Sequence, residues 1–329
     1  MSEYVAILGS NSFSGASYAR HLLAQGKQVI AISRSPEPVT ALLPYAWDDA
    51  SNLRFHQLDL NNDLDAIDNL LDKYQVPTVV NFAAQSMVGQ SWEWPEHWFM
   101  TNAVSTIKLH NRLRHKDYLD KYVHISTPEV YGSCSGFVAE HDHYKPSTPY
   151  AVSRAAADMS LQTFFDVHKF PVVSTRAANV YGPGQQLYRI IPKTIMSILL
   201  GRKLPLHGGG HSERSFIHID DVSSATQKIS EKGELGKCYH ISTERTVTIR
   251  NLVELICQEM QVDFNEVCEV TDDRPGKDSA YLLDASLLRN TLGWQDKISL
   301  EDGIAQTLAW AKDYYSTLKN ESLDYQHKE

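Results

Sequence analysis

The chain has 329 residues, 42% hydrophobic and 22% charged, the balance of a water-soluble globular protein long enough for two lobes. Its formal net charge of -9 argues against general binding to nucleic acid or an anionic membrane surface, while leaving room for a local basic pocket. The four cysteines (Cys134, Cys238, Cys257, Cys268) lack CxxC spacing and read as reduced thiols of a cytoplasmic protein, with no signal-peptide pattern at the start and no run of the ~20 apolar residues a membrane span needs.

Short apolar runs at 4–8, 28–33, 53–57, 78–82, 122–126 and 172–176 read as strands. Helical patterns lie between most of them, at 17–24, 64–73, 103–113 and 151–167. This alternation implies a parallel sheet covered by helices on both faces. Turn residues then appear in "YGPGQQ", a helix is expected at 190–200, and "LHGGGHSERS" is a glycine-rich loop. Runs at 215–219 and 237–241 are expected to add strands to the first lobe, and a helix over 300–315 to close the second. The boundaries follow: a first lobe of residues 1–180 completed by 215–242, and a smaller α/β lobe from 181–214 and 243–329. The last dozen or so residues are polar and are expected to fray.

In sheets of this kind ligands bind beyond the carboxyl ends of the strands. Five polar loops fall there: "GSNSFSG", "SRS", "AAQS", "STPEVYG" and "RAANVYGPG". The first, Gly9 to Gly15, joins a strand to a helix through small residues (Asn11, Ser12, Ser14) and Phe13. A pyrophosphate needs such a turn, because backbone N–H groups and the helix N-terminus must come close to it. Ser12 stands where a three-glycine version of the turn has its middle glycine. The fold class is therefore a Rossmann-type doubly wound parallel sheet with a smaller C-terminal substrate-binding lobe. After the second strand, Ser33-Arg34-Ser35 offers a guanidinium between two hydroxyls where an acidic residue would favour NAD. That arrangement suits the 2′-phosphate of NADP, with NAD as the alternative. Asp59 and Leu60 are placed to flank the adenine, and Ala83, Ala84 and Gln85 to line the cofactor.

Tyr150 and Arg154 stand at i and i+4, on one face of a helix. A tyrosine becomes a base near neutral pH only if its pKa falls by ~3 units, about 4 kcal/mol, which a fixed cation and a nicotinamide cation together are expected to supply. Fourteen histidines include no HExxH or Cys/His array. They read as loop residues, and no metal site is expected. Trp92, Trp94 and Trp98 read as packing, under a loop over the site.

"GSNSFSG", "NFAAQSMVGQS", "ISTPEVYG", "PSTPYAVSR", "RAANVYGPG", "ERSFIHIDDV" and "DRPGKDSAYLLD" occur in this order across almost the whole chain. Together they resemble the extended short-chain dehydrogenase/reductases, and among them the nucleotide-sugar 4,6-dehydratases of the GDP-mannose and dTDP-glucose branches. The resemblance implies that Tyr150 is the catalytic tyrosine and that Arg154 stands in for the family lysine. It implies that Thr127 bonds the hexose 4-hydroxyl and that Glu129 is the dehydratase base. Asn179, Arg189, Arg214 and Arg274 would hold the nucleotide-sugar, Tyr281 would close that site, and Ser86 and Asn102 would line the active-site region. A homodimer joined through the helices at 103–113 and 151–167 is a further expectation. Three positions depart from the family: Ser12 for glycine, Arg154 for lysine, and Pro128 where the two branches carry an acidic residue or serine. With no acid at 128, the proton for the leaving oxygen is expected from Glu129 or from water. The expected reaction turns a nucleoside-diphosphate hexose into its 4-keto-6-deoxy form. The alternatives are another sugar-modifying dehydrogenase of the same fold (4-epimerase, decarboxylase or 4-dehydrogenase) and a silent NADP/nucleotide-sugar-binding protein.

Overall fold

The computed structural model describes residues 4–134, 136–272 and 282–328. Its centre is a seven-stranded parallel sheet: β1 (Tyr4–Leu8), β2 (Gln28–Ser33), β3 (Leu53–Gln57), β4 (Thr78–Asn81), β5 (Lys121–Ile125), β6 (Val172–Ala177) and β7 (Cys238–Ile241). The spatial order is β7-β6-β5-β4-β1-β2-β3, so the chain reverses direction across the sheet between β1 and β4. The central strands are apolar on both faces, as helical cover on two sides requires: Val29, Ile30, Ala31 and Ile32 are all buried. One core forms on each face of the sheet. The first includes Ile7, Val80, Val123 and the 219–232 helix residues Val222 and Ala225. The second includes Leu8, Ile30, Val79 and Leu161.

Residues 216–218 differ from the sequence reading. They do not join the large sheet but pair in parallel with Asn179–Tyr181 in a two-stranded sheet of their own. An apolar extended run announces a strand but not its partner, and here a polypeptide leaving β6 supplies the nearer edge. The second lobe has its own core around Tyr181, Ile191, Ile195 and Trp310. Trp310 Nε1 donates to the carbonyl of Ala41 at 2.9 Å, which fixes this lobe against the β2–β3 connection.

The helix expected at 103–113 begins earlier: Pro95–Phe99 runs through a wider π-type turn, Met100–Ser105, into Thr106–Leu113. Several histidines expected in loops are buried in regular structure, among them His110, His124, His218 and His240. Burial lowers the pKa of each, down to about 3 for His240. Among the described residues, no helix is long and apolar enough to cross a membrane. No group of three or more His, Cys, Asp or Glu among them is placed to hold a metal ion. The four cysteines are free thiols.

Candidate active site

The β1 turn is built for close backbone approach. Gly9 has φ +79°, and a Cβ there would lie 2.6 Å from the backbone nitrogen of Ala83. At Gly15 a Cβ would lie 2.3 Å from the carbonyl oxygen of Gly9. Ser12 caps the Phe13–Leu23 helix: its hydroxyl accepts from Gly15 N–H at 3.1 Å and donates to Gly9 O at 2.7 Å. The serine that replaces a family glycine thus turns its oxygen inward and holds the loop closed. No acidic residue stands in the helix's first turn, so its positive end remains suited to phosphate.

At the end of β2 the Asn11 amide donates to the carbonyls of Ser35 (2.9 Å) and Pro36 (3.1 Å), tying two cofactor loops together. Arg34 Nη1 is buried with no hydrogen-bond partner among the described residues, a donor suited to an anionic oxygen. Arg34 Nη2 donates to the carbonyl of Lys328 at 3.0 Å. The glycine cradle and this unpartnered donor fit a dinucleotide. The Asp59 carboxylate accepts from Asn61 N–H and from the Asn62 amide, closing its own turn, and Leu60 is buried in the core.

Asn102, expected to line the active site, is fully buried instead. It accepts from Gln85 N–H at 2.8 Å, donates to Gln85 O at 2.9 Å and donates to Ser153 Oγ at 3.0 Å. It therefore locks the Ala83-Ala84-Gln85 loop to the helix of Tyr150. The resemblance placed Asn102 near the site, and only the fold reveals this clamp.

That helix starts cleanly because Thr148 caps it, accepting from Ala151 N–H at 3.2 Å, and Pro149 takes the first turn, where its missing N–H costs nothing. Tyr150 and Arg154, 8% and 2% exposed, project one turn apart toward the end of β5. Arg154 Nη2 donates to Ile125 O. Thr127 caps the short turn Pro128–Tyr131, accepting from Glu129 N–H at 3.4 Å. Pro128 is thus a first-turn proline that sets the turn and leaves Glu129 beside Tyr150 and Thr127.

The protein's own groups leave the Tyr150 pKa above its ordinary value, so the fixed cation by itself does not supply the expected fall. The Tyr150 phenol is pushed up, first by burial and then by the negative charge of Glu129. Arg154, a hydrogen bond with Thr127, and Arg189 pull it down without prevailing. The guanidinium alone does not make a base, so a further positive charge is required before the phenol ionises.

These groups line one cavity of about 740 Å³ that runs from Ser12-Phe13-Ser14 across to the second lobe. Thr127, Glu129, Tyr150 and Arg154 share it with Ala84, Ser86 and Asn179. Arg189, Lys193 and Arg214 line its far end. Lys193 went unnoticed in the sequence, although it follows Arg189 by one turn at the start of the Ile190–Leu199 helix, whose first turn has no acid. Among the described residues lining the cavity, four are arginine or lysine and one, Glu129, is a carboxylate. Arg274 and Tyr281 lie outside the described residues.

Sequence reasoning also missed a buried support. Asp158, one turn beyond Arg154, accepts from Ser126 Oγ and from Arg176 Nη2, both at 2.7 Å. Burial opposes its charge, but Arg176 and then His124 outweigh that and hold the carboxyl well below the usual range. Arg176 also donates to Tyr131 and Tyr144. The strand end just before Thr127 and the turn bearing Glu129 are therefore anchored to the Tyr150 helix.

A doubly wound sheet, a glycine-cradled turn at the end of its first strand, and a Tyr/Thr/Glu group facing a second lobe that carries Arg189, Lys193 and Arg214 are the features of an extended short-chain dehydrogenase/reductase. The sequence pattern of the family described as GDP-mannose 4,6 dehydratase matches residues 7–307, and the chain belongs to this nucleotide-sugar 4,6-dehydratase family. It is 32% identical over 319 residues to a dTDP-glucose 4,6-dehydratase of Streptomyces niveus, covering 94% of this chain and 93% of that protein. It is also 32% identical over 263 residues to a trifunctional UDP-glucose 4,6-dehydratase/UDP-4-keto-6-deoxy-D-glucose 3,5-epimerase/UDP-4-keto-L-rhamnose-reductase of Arabidopsis thaliana. That match covers 79% of this chain and spans only 39% of the plant protein. Among solved structures, dTDP-glucose 4,6-dehydratase from Streptomyces venezuelae with NAD and TYD bound is similar at a TM-score of 0.89. Its identity is 29%, over 95% of this chain and 98% of that one.

Proposed function

We propose that the protein is a nucleotide-sugar 4,6-dehydratase that converts a nucleoside-diphosphate hexose to its 4-keto-6-deoxy derivative. The observation that carries this reading is a single carboxylate, Glu129, beside the phenol of Tyr150 in a cavity whose lining carries four arginine or lysine cations and, among the described residues, no other carboxylate. An epimerase needs no base at C5, whereas a dehydratase does. The cations Arg189, Lys193 and Arg214 suit a diphosphate at the far end. The cofactor is proposed to be NADP, on the strength of Arg34 and its unpartnered buried nitrogen, with NAD, the dinucleotide of the Streptomyces venezuelae relative, as the alternative.

A bound nicotinamide supplies an acceptor for the C4 hydride, its return to C6, and the positive charge that the phenol lacks. Thr127 orients the 4-hydroxyl, and Tyr150 takes its proton as C4 is oxidised. The new ketone acidifies C5–H, and Glu129 removes that proton. With Pro128 unable to donate, Glu129 passes the same proton to the 6-oxygen, which leaves as water. As C6 is reduced, Glu129 delivers a proton drawn from solvent to C5, and the proton taken by Tyr150 is released to solvent, which balances the sequence with no net cofactor use.

The test is incubation with GDP-, UDP-, dTDP- and CDP-hexoses, read by mass spectrometry. One of them is expected to lose the mass of one water with no accumulation of reduced cofactor. Recovery of unchanged sugar or its C4 epimer from all four rejects the reading, and stoichiometric reduced cofactor would instead identify a 4-dehydrogenase.

A further inference from the structure

Residues 324–328 do not fray, as their polarity suggested, but cross the mouth of the cleft from the second lobe to the first. Asp324 pairs with Lys193 at 2.9 Å. The Tyr325 ring stands edge-on to Tyr188 at 5.3 Å, and both Lys193 and Tyr188 line the cavity. The imidazole of His327 stacks on Trp94 (4.7 Å, 3°) and Trp98 (5.1 Å, 12°), and hydrogen-bonds in plane to His97 at 2.8 Å. The Lys328 carbonyl then accepts from Gln85 Nε2 at 2.7 Å and from Arg34 Nη2 at 3.0 Å.

Each contact uses a group that the cleft offers to a ligand. A carboxylate takes the cation that would meet a phosphate, a flat heteroaromatic ring fills an aromatic slot, and a carbonyl takes a donor of Arg34. The open cavity correspondingly reaches Ser12, Ser14 and Ala84 but is not lined by Arg34 or Gln85, which the segment touches. Trp94, His97 and Trp98, unexplained by the catalytic reading, form this slot.

We propose that the surface formed by Arg34, Gln85, Trp94, Trp98 and Lys193 is a docking site for the chain's own segment 324–328, which the dinucleotide must displace in order to bind. The proposal rests on the cofactor reading above and adds to it an intramolecular competitor. Its consequence is a reduced apparent affinity: a groove open about one tenth of the time binds about tenfold more weakly than an open one.

The test compares NADP and NAD binding by calorimetry in the full chain, in a chain lacking residues 324–329, and in His327→Ala, with thermal melts confirming that each is folded. The shortened chain is expected to bind at least about tenfold more tightly. His327→Ala should fall between, and a synthetic peptide of residues 321–328 added to the shortened chain should restore the weaker binding. Unchanged or weaker binding after shortening overturns the proposal and leaves the cofactor site standing. Failure of every form to bind either dinucleotide overturns the proposal together with the cofactor reading.

Discussion

Replacing Glu129 by glutamine separates oxidation from dehydration. The substitution keeps the shape of the side chain and removes its charge and its basicity. Among the described residues, no other carboxylate lines the cavity, and Pro128 offers no proton-transfer group, so nothing nearby substitutes for it. A positioned general acid–base contributes ~10²–10⁴-fold, about 3–5 kcal/mol of barrier, and here one group serves both steps, which places the loss toward the upper end. Oxidation at C4 should survive. The negative charge of Glu129 is one of the two influences that push the Tyr150 phenol up, so the variant's phenol ionises at lower pH than the wild type's. Rapid mixing with the substrate nucleotide-hexose should therefore give a stoichiometric rise in reduced-nicotinamide absorbance that decays slowly, with water loss reduced at least ~10³-fold. Dehydration within about threefold of the wild-type rate would refute the assignment of Glu129.

Arg154→Met removes a cation that lowers the Tyr150 pKa, so the low-pH limb of activity should move to higher pH, and a pH–rate profile with an unmoved limb would count against the pairing. Arg34→Ala should weaken NADP about 10- to 100-fold, the worth of one lost charge-assisted hydrogen bond, while changing NAD far less, as read by titration. Asp158→Asn leaves the buried Arg176 without its counter-charge and should cost about 3–5 kcal/mol of stability in denaturant unfolding. Because the folded carboxyl titrates below its unfolded value, its stabilisation is complete above about pH 5 and fades as the pH falls through ~4 and below; the gap between wild type and Asp158→Asn should narrow there, and a gap independent of pH would contradict the charge-based account.

The sheet was legible because its strands are short doubly apolar runs spaced by helical patterns, and β1 to β6 fall within a residue or so of those runs. Tyr150, Thr127 and Glu129 were named as a group through the family resemblance of "ISTPEVYG" and "PSTPYAVSR", and the fold brings them to one cavity. Their shared ionisation balance was not legible, since burial of the phenol depends on packing that no local pattern displays. The clamp made by Asn102, which was expected only to line the active site, and the role of Asp158 were missed for a related reason. A polar residue in a helix reads as solvated until the fold supplies its partners, Gln85 and Ser153 in one case and Arg176 in the other. The 216–218 strand was recognised but assigned to the wrong sheet, because pairing is decided by which edge lies near. The 324–328 segment carries only polar and aromatic residues, and its docking depends on Trp94 and Lys193, far away in sequence.

The central claim is that hydride leaves C4 and returns within the same sugar to C6 while Tyr150 and Glu129 move the protons. A nucleotide-hexose deuterated at C4 tests it most directly, with the product examined by NMR and mass spectrometry. The account predicts a 4-keto-6-deoxy sugar with the deuterium on C6. Deuterium still at C4, in recovered or epimerised sugar, or left on the cofactor, would contradict it.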